Sequence, residues 1–200
     1  KIFKFAIDTG RAVSKLQQQN KPIPALLKMR HRLAHKLVHS KIQGPLGGRI
    51  RYFISAGAPL SREIQEFFHA VGLLVLEGYG LTETTPVLTV NRPDSYRFGT
   101  VGKVIPGVEV KIAPDGEILG KGPNVVKGYE NNPEANATAF FGEWFRTGDQ
   151  GMLDEQGYLS LTGRLKEMIN RGGEKISPRE IDEVLLAHPA IAEAVAFGAP

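Results

Sequence analysis

The sequence predicts an α/β protein: a parallel α/β layer, then a small barrel-like β-rich region, then the start of a small α+β unit. Three observations carry this. From residue 49 to 76 a β-rich run, a small-residue loop, a helical pattern and an apolar run follow one another, the order of a parallel strand–helix–strand unit. From Arg97 to Leu161 glycine and proline punctuate short runs of β-formers. At Ser177-Pro178-Arg179-Glu180 a capping box with proline at the first helical position opens a new helix.

Lys1–Leu16 places Ile2, Phe3, Ala6, Ile7 and Val13 at helical spacing, weakened at Gly10, and Gln17–Pro24 reads as a polar loop. Ala25–Ile42 is a stronger helix, with Leu26, Leu27, Leu33, Leu37, Val38 and Ile42 as its apolar stripe and Lys28, Arg32, His35, Lys36 and His39 off it. His31, His35 and His39 recur every fourth residue. That spacing allows a metal pair, but no nearby carboxylate or cysteine completes a shell, so solvent-facing histidines are expected. The same helix is basic and amphipathic and could lie on a membrane surface or simply pack on the protein.

Arg49–Ser55 alternates and reads as a strand, followed by the loop Ala56-Gly57-Ala58-Pro59-Leu60. Ser61–Val71 reads as a helix with Ser61 as N-cap, Glu63 in its first turn and Gly72 as its stop. Leu73–Leu76 is the next strand, and it leads into Glu77-Gly78-Tyr79-Gly80-Leu81-Thr82-Glu83-Thr84. In that stretch Gly78 and Gly80 let the backbone turn close to a ligand. Tyr79 could stack on a purine, Thr82 could donate to a phosphate and Glu83 could hold a hard divalent cation; a tight strand-to-loop turn is the plainer alternative. In a parallel layer the loops 56–60 and 77–83 both fall beyond the carboxyl ends of the strands, where ligands bind.

Farther on, strands are expected at Val108–Ile112, Glu117–Leu119, Met152–Leu153 and Tyr158–Leu161, and a short helix at Pro133–Phe140. Phe145-Arg146-Thr147-Gly148-Asp149 sets a carboxylate after a glycine, suited to the two hydroxyls of a ribose or to an ordinary Asx turn. Thr162–Gly173 is dense in charge and glycine and reads as a hinge. The helix begun at Ser177 runs to about Ala187, and Ala190–Phe197 reads as a strand. The expected domains are 1–96, 97–163 and 164–200, the last of them truncated.

The totals are those of an ordinary globular protein, with 42% hydrophobic and 23% charged residues. No apolar run approaches the roughly 20 residues of a membrane-spanning helix. The absence of cysteine excludes disulfides and thiolate catalysis and fits a cytoplasmic setting. The net charge of +4 hides an asymmetry: residues 1–60 hold 12 Lys and Arg against the single acid Asp8. A basic front favours anionic partners such as polyphosphate or a lipid surface.

Six stretches taken together resemble the adenylate-forming acyl-CoA synthetase superfamily: SAGAPL at 55–60, EGYGLTET at 77–84, GTVGKVIPGVEVKI at 99–112, GEILGKGPNVVKGY at 116–129, WFRTGD at 144–149 and GRLKEMINRGGEKISPREID at 163–182. They stand in family order and span nearly the whole chain. The resemblance implies that Gly57, Ala58, Pro59 and Tyr79 border the adenine, within a nucleotide site that takes in Glu77, Gly78, Gly80 and Leu81. It implies Thr82 at the α-phosphate, Glu83 on Mg²⁺, and Asp149 and Arg164 on the ribose. Lys166 matches the hinge of the C-terminal domain, and Gly172 and Gly173 match a loop near the CoA pantetheine. ATP, Mg²⁺ and CoA are the implied cofactor and co-substrates, and a fatty acid the implied substrate. Residues 1–131 look most like long-chain fatty acid–CoA ligases, and residues 145–200 nearer the 4-coumarate and oxalate CoA ligases; Ala56 stands where the long-chain branch often has glycine.

The implied activity is ATP-dependent conversion of a fatty acid to its acyl-adenylate and transfer to CoA. The alternatives are a ligase for short-chain or aromatic acids, an acyl-AMP ligase feeding a carrier protein, or a non-catalytic nucleotide-binding or membrane-surface module. Nothing points to a nucleic-acid partner. The family's upstream phosphate loop and downstream catalytic lysine are not in these residues, so the 200-residue piece alone is expected to have little or no ligase activity.

Overall fold

The structure, a computed structural model, describes residues 1–171 and 174–198. They form two compact units, one of residues 1–79 and 90–102, the other of residues 80–89 and 103 onward. The expected α/β class holds, with helices on a parallel strand pair in the first unit and an antiparallel sheet in the second.

In the first unit α1 (Ile2–Gln18) is unbroken at Gly10. The reason is a close helix crossing: a Cβ there would collide with the carbonyl of Ala70, so only glycine lets α1 approach α4 (Arg62–Ala70). Ser61 caps α4 as expected, its hydroxyl accepting from the Ile64 N–H at 3.3 Å, and Gly72 takes the left-handed conformation (φ 82°) that stops it. Parallel strands β1 (Phe53–Ser55) and β2 (Val75–Tyr79) flank this helix in sequence, in register Phe53 with Val75 to Ser55 with Glu77. Ile7, Val71 and Leu73 form a small core with Phe53, Phe67, Phe68, Ile42 and Leu46 around it.

The strand expected over Arg49–Ser55 begins only at Phe53. The one expected over Leu73–Leu76 begins later and runs on through Glu77, Gly78 and Tyr79, so the turn after it starts at Gly80 and not at Gly78. The helix expected over Ala25–Ile42 divides into α2 (Ala25–Ala34), a π-helical turn (His35–His39) and α3 (Ser40–Gln43). The extra residue in the π turn rotates the remainder of the helix about its axis. As a result His39 is buried (1% exposed) and its Nε2–H donates to the Ala6 carbonyl at 3.1 Å. Leu26, Leu33 and Leu37 of the expected apolar stripe face solvent with Met29. The expectation that all three histidines face solvent is thereby corrected for His39.

The chain passes between the units at β3 (Thr89–Val90) and β4 (Lys103–Val104). The second unit is built on a five-stranded antiparallel sheet. Its order is β5 (Glu109–Ile112), β6 (Glu117–Lys121), β8 (Trp144–Leu153) and β7 (Phe140–Phe141), with β9 (Leu159–Arg164) also on β8. Ile118, Leu119, Phe145 and Leu159 are buried on it. Helix α5 (Pro133–Ala139) lies where it was expected, capped by Asn132, whose Oδ1 accepts from the Ala135 N–H at 3.1 Å. After a 3₁₀ turn (Leu165–Glu167) come the antiparallel pair β10 (Ile169–Arg171) and β11 (Glu174–Ile176), and helix α6 (Pro178–Leu186). The strand expected at Ala190–Phe197 does not form; none of the described strands pairs with it, and an unpaired strand leaves its ladder groups without partners.

Candidate functional site

The segment after β2 is shaped by one residue, Thr84. Fully buried, it accepts from the Leu81 N–H through Oγ1 at 2.9 Å and donates to the Leu81 carbonyl at 3.0 Å. Its own N–H bonds the same carbonyl at 2.9 Å, closing a 3₁₀ turn over Thr82–Thr84. Gly80 is required at the start because a Cβ there would meet the Pro86 carbonyl. With Thr84 turned inward, Thr82 is left exposed and Glu83 half-buried.

A second segment, 46 residues on in the case of Tyr129, holds this turn. Asn124 donates from Nδ2 to the carbonyls of Thr84 (2.7 Å) and Val87 (2.8 Å), and the Val126 N–H donates to the Glu83 carbonyl at 2.8 Å. The Tyr129 hydroxyl donates to Glu83 Oε1 at 2.9 Å. Partial burial, then the hydrogen bond and charge of Glu83, push the Tyr129 phenol above its ordinary pKa, so it remains a donor across the neutral range. Neither Asn124 nor Tyr129 was assigned a role from the sequence, though both lie in the motif GEILGKGPNVVKGY.

Asp149 and Arg164 face each other across β8 and β9 as register partners, and Arg164 Nε reaches Asp149 Oδ1 at 3.2 Å. Arg164 also approaches Glu167 at 3.6 Å and is mostly exposed, whereas Asp149 is largely covered. The expected turn at 145–149 is instead the middle of a ten-residue strand. Gly148 takes φ 73°, and the pairing with β9 slips between Gln150 and Gly151. Glu117 fixes this irregularity. Its buried carboxylate accepts from the Gly148 N–H at 2.9 Å and from Arg146 Nε at 2.8 Å, a role the sequence did not disclose. Lys166 stands exposed in the 3₁₀ turn directly after β9. Gly172 and Gly173 lie outside the described residues.

In the first unit Gly57, Ala58 and Pro59 form an exposed loop. Glu77 is buried beneath the end of that loop, where Oε1 accepts from the Leu60 N–H at 3.0 Å and Oε2 from the Gln65 amide at 2.8 Å. Gly78 is a strand residue, and Tyr79 closes β2 almost fully buried, leaving little of its ring open.

The histidines are structural. Burial, then His39 and His35, holds His31 below the ordinary imidazole range; burial outweighs the Ala6 hydrogen bond to do the same to His39. His69 is lowered by burial between the Ser14 hydroxyl (2.7 Å from Nδ1) and the Tyr96 hydroxyl (3.0 Å from Nε2). Among the described residues no group of three or more His, Asp or Glu could hold a metal ion. Glu83 does suit Mg²⁺ chemically: it is a half-buried hard oxygen donor with one oxygen already fixed by a phenol, and Mg²⁺ is ordinarily held by one or two carboxylates and completed by phosphate and water.

The chain is also similar to known proteins. The profile of AMP-binding enzymes matches residues 17–130. A long-chain-fatty-acid–CoA ligase of Mycobacterium bovis is 40% identical over 199 residues, covering 99% of this chain and 33% of the relative. An oxalate–CoA ligase of Arabidopsis thaliana is 45% identical over 76% of this chain and 32% of its own length. Among solved structures, an o-succinylbenzoate CoA synthetase of Bacillus subtilis in complex with its acyl-adenylate superposes with a TM-score of 0.70 at 38% identity, over 76% of this chain and 34% of the other. The same enzyme with ATP and magnesium ion gives 0.68 at 34% identity, over 80% and 37%. The chain spans about a third of the length of the curated relatives it matches.

Proposed function

The chain belongs to the AMP-binding enzyme family, and from that premise we propose that it carries nucleotide-holding parts of an acid–CoA ligase that activates a carboxylic acid as its acyl-adenylate. The observation that carries the reading is the turn at Gly80–Thr84, where a buried threonine frees an exposed hydroxyl and a half-buried carboxylate side by side. On this reading Thr82 donates to the α-phosphate, and Asp149 with Arg164 holds the ribose hydroxyls. Gly57, Ala58, Pro59 and the backbone from Glu77 to Leu81 border the adenine. Glu83 holds Mg²⁺, which when bound supplies charge neutralisation at the phosphates.

The chemistry explains the residue types. A carboxylate is a poor electrophile toward a thiol, because oxide would have to leave. Attack of the acid's oxygen on the α-phosphorus of ATP forms a carbon–oxygen–phosphorus link and expels pyrophosphate. The CoA thiolate then attacks the acyl carbonyl, forming the thioester and expelling AMP. In the first step two anions approach one another, so donors and positive charge at the phosphate dominate the barrier. The two steps need different surroundings at one centre, and rotation about Lys166, with Gly172 and Gly173 toward the pantetheine, would supply them.

We propose a long-chain fatty acid as the substrate, supported by the mycobacterial relative. The oxalate and succinylbenzoate enzymes support the competing reading, a small or aromatic acid. A panel of acids offered with CoA to the full-length enzyme separates them. A second, surface role is favoured by one observation: α2 and the turn after it expose Leu26, Met29, Leu33 and Leu37 beside Lys28, Arg32 and Lys36, a face suited to anionic lipid, which flotation on acidic against neutral liposomes would test. For the catalytic reading, Glu83→Ala in the full-length enzyme is expected to lower ATP-dependent pyrophosphate release by about 10³-fold. A rate equal to wild type would refute it.

A further inference from the structure

We propose that Tyr129 is a positioning residue for the divalent cation at Glu83: its phenol pins one carboxylate oxygen and leaves the other to the metal. The inference rests on the metal-holding reading of Glu83 and extends it to a residue outside the glycine-rich turn.

The geometry separates what holds the backbone from what holds the carboxylate. Tyr129 is clamped at its main chain by one side chain, Asn136 of α5. Asn136 Oδ1 accepts from the Tyr129 N–H at 2.7 Å, and its Nδ2 donates to the Tyr129 carbonyl at 2.8 Å. The facing turn is held by Asn124 and by the Val126 N–H. Both segments are therefore fixed without the phenol. Tyr129 is 37% exposed, and an exposed hydrogen bond contributes little to folding. What the phenol does contribute is direction. A hydroxyl on a carboxylate oxygen makes a charge-assisted bond that restricts the acid's terminal torsion. A neutral donor is also the right kind. A lysine or arginine at that place would cancel the negative charge the metal needs, whereas a phenol orients the carboxylate and leaves its charge in place. Groups that orient a metal ligand in this way typically change metal affinity about 10–100-fold when removed.

The test uses the full-length enzyme and the metal itself as probe. Mn²⁺ binding in the presence of ATP is titrated by electron paramagnetic resonance for wild type, Tyr129→Phe and Glu83→Gln, together with the Mg²⁺ dependence of pyrophosphate release and the thermal midpoint. Tyr129→Phe keeps the ring and the Asn136 clamp. It is expected to weaken Mn²⁺ binding about tenfold and to raise the Mg²⁺ concentration for half-maximal release by a similar factor, with added Mg²⁺ restoring most of the lost rate. Its thermal midpoint and its KM for ATP at saturating Mg²⁺ should not move. Wild-type Mn²⁺ binding in Tyr129→Phe alongside its loss in Glu83→Gln overturns the role of Tyr129 alone. Wild-type Mn²⁺ binding in Glu83→Gln overturns the metal reading, and this inference falls with it.

Discussion

Glu77 and Glu83 stand in one eight-residue motif, yet the fold treats them oppositely. Glu77 is 6% exposed and each of its oxygens accepts a donor from the protein, Leu60 N–H on one and Gln65 on the other. Glu83 is half-buried and accepts from a phenol on one oxygen. The sheet of the second unit repeats the arrangement. Glu117, 3% exposed, braces Gly148 and Arg146, and the residue after Gly148, Asp149, points a carboxylate at a mostly exposed arginine. In the sheet the buried acid holds the backbone beside the presented one, whereas the turn bearing Glu83 is held by Thr84, Asn124 and the Val126 N–H and Glu77 braces the loop end at Leu60. A carboxylate can be kept available for a ligand only where the turn that bears it is secured by something else.

Removing a brace should therefore cost stability, and removing a presented acid should cost ligand. The largest stability loss is expected for Glu117→Ala. It leaves the partly buried Gly148 N–H without its acceptor and the Arg146 guanidinium without its partner, about 3 kcal/mol by urea unfolding. Glu77→Ala should follow at about 2 kcal/mol, since Leu60 N–H and the Gln65 amide lose their acceptor. A midpoint unchanged in either would dissolve the distinction. The buried histidines sharpen it from another side. His31, His39 and His69 all have folded-state pKa values lowered by burial, so the native chain binds fewer protons than the unfolded one near pH 6.5. Their contribution is complete above that pH and is lost as pH falls below it, with a slope of at most about 1.4 kcal/mol per pH unit for each. Urea midpoints between pH 7.5 and 5.5 should fall, and His69→Gln should flatten the profile; a flat wild-type profile would count against the burial. The smallest effect belongs to Asp149→Asn, about 0.5 kcal/mol or less in stability because its partner Arg164 is mostly solvated.

The sequence was most legible where chemistry is local. Ser61 as a cap, Gly72 as a stop and the short helix at 133 were readable because caps and stops act over a few residues. The stretch 145–149 was read as a turn; Gly148 does take a positive φ, but a positive φ in a turn and one in a bulge have the same local signature. Only pairing with β6 and β9 makes 144–153 a single strand. Glu117, Asn124 and Tyr129 were not legible as parts of the candidate site. Each acts on a residue about 30 to 46 positions away, and no periodicity records such a partner. Glu77 entered the candidate site through the family resemblance alone; its burial follows from a strand that continues two residues beyond it, which local sequence did not show.

The swollen turn at His35–His39 gives the N-terminal helices a property that no single side chain has. An added residue in a helix is a phase error carried to its end. Here it seats the imidazole of His39 under Ala6 and brings Gln43 Nε2 to the Val71 carbonyl at 2.6 Å. Deleting any one residue of this turn would wind the remainder back by about 100° and unseat both at once. The segment is thus cut to a count: its outer face can exchange side chains freely, while its length is as fixed as the pitch of a screw.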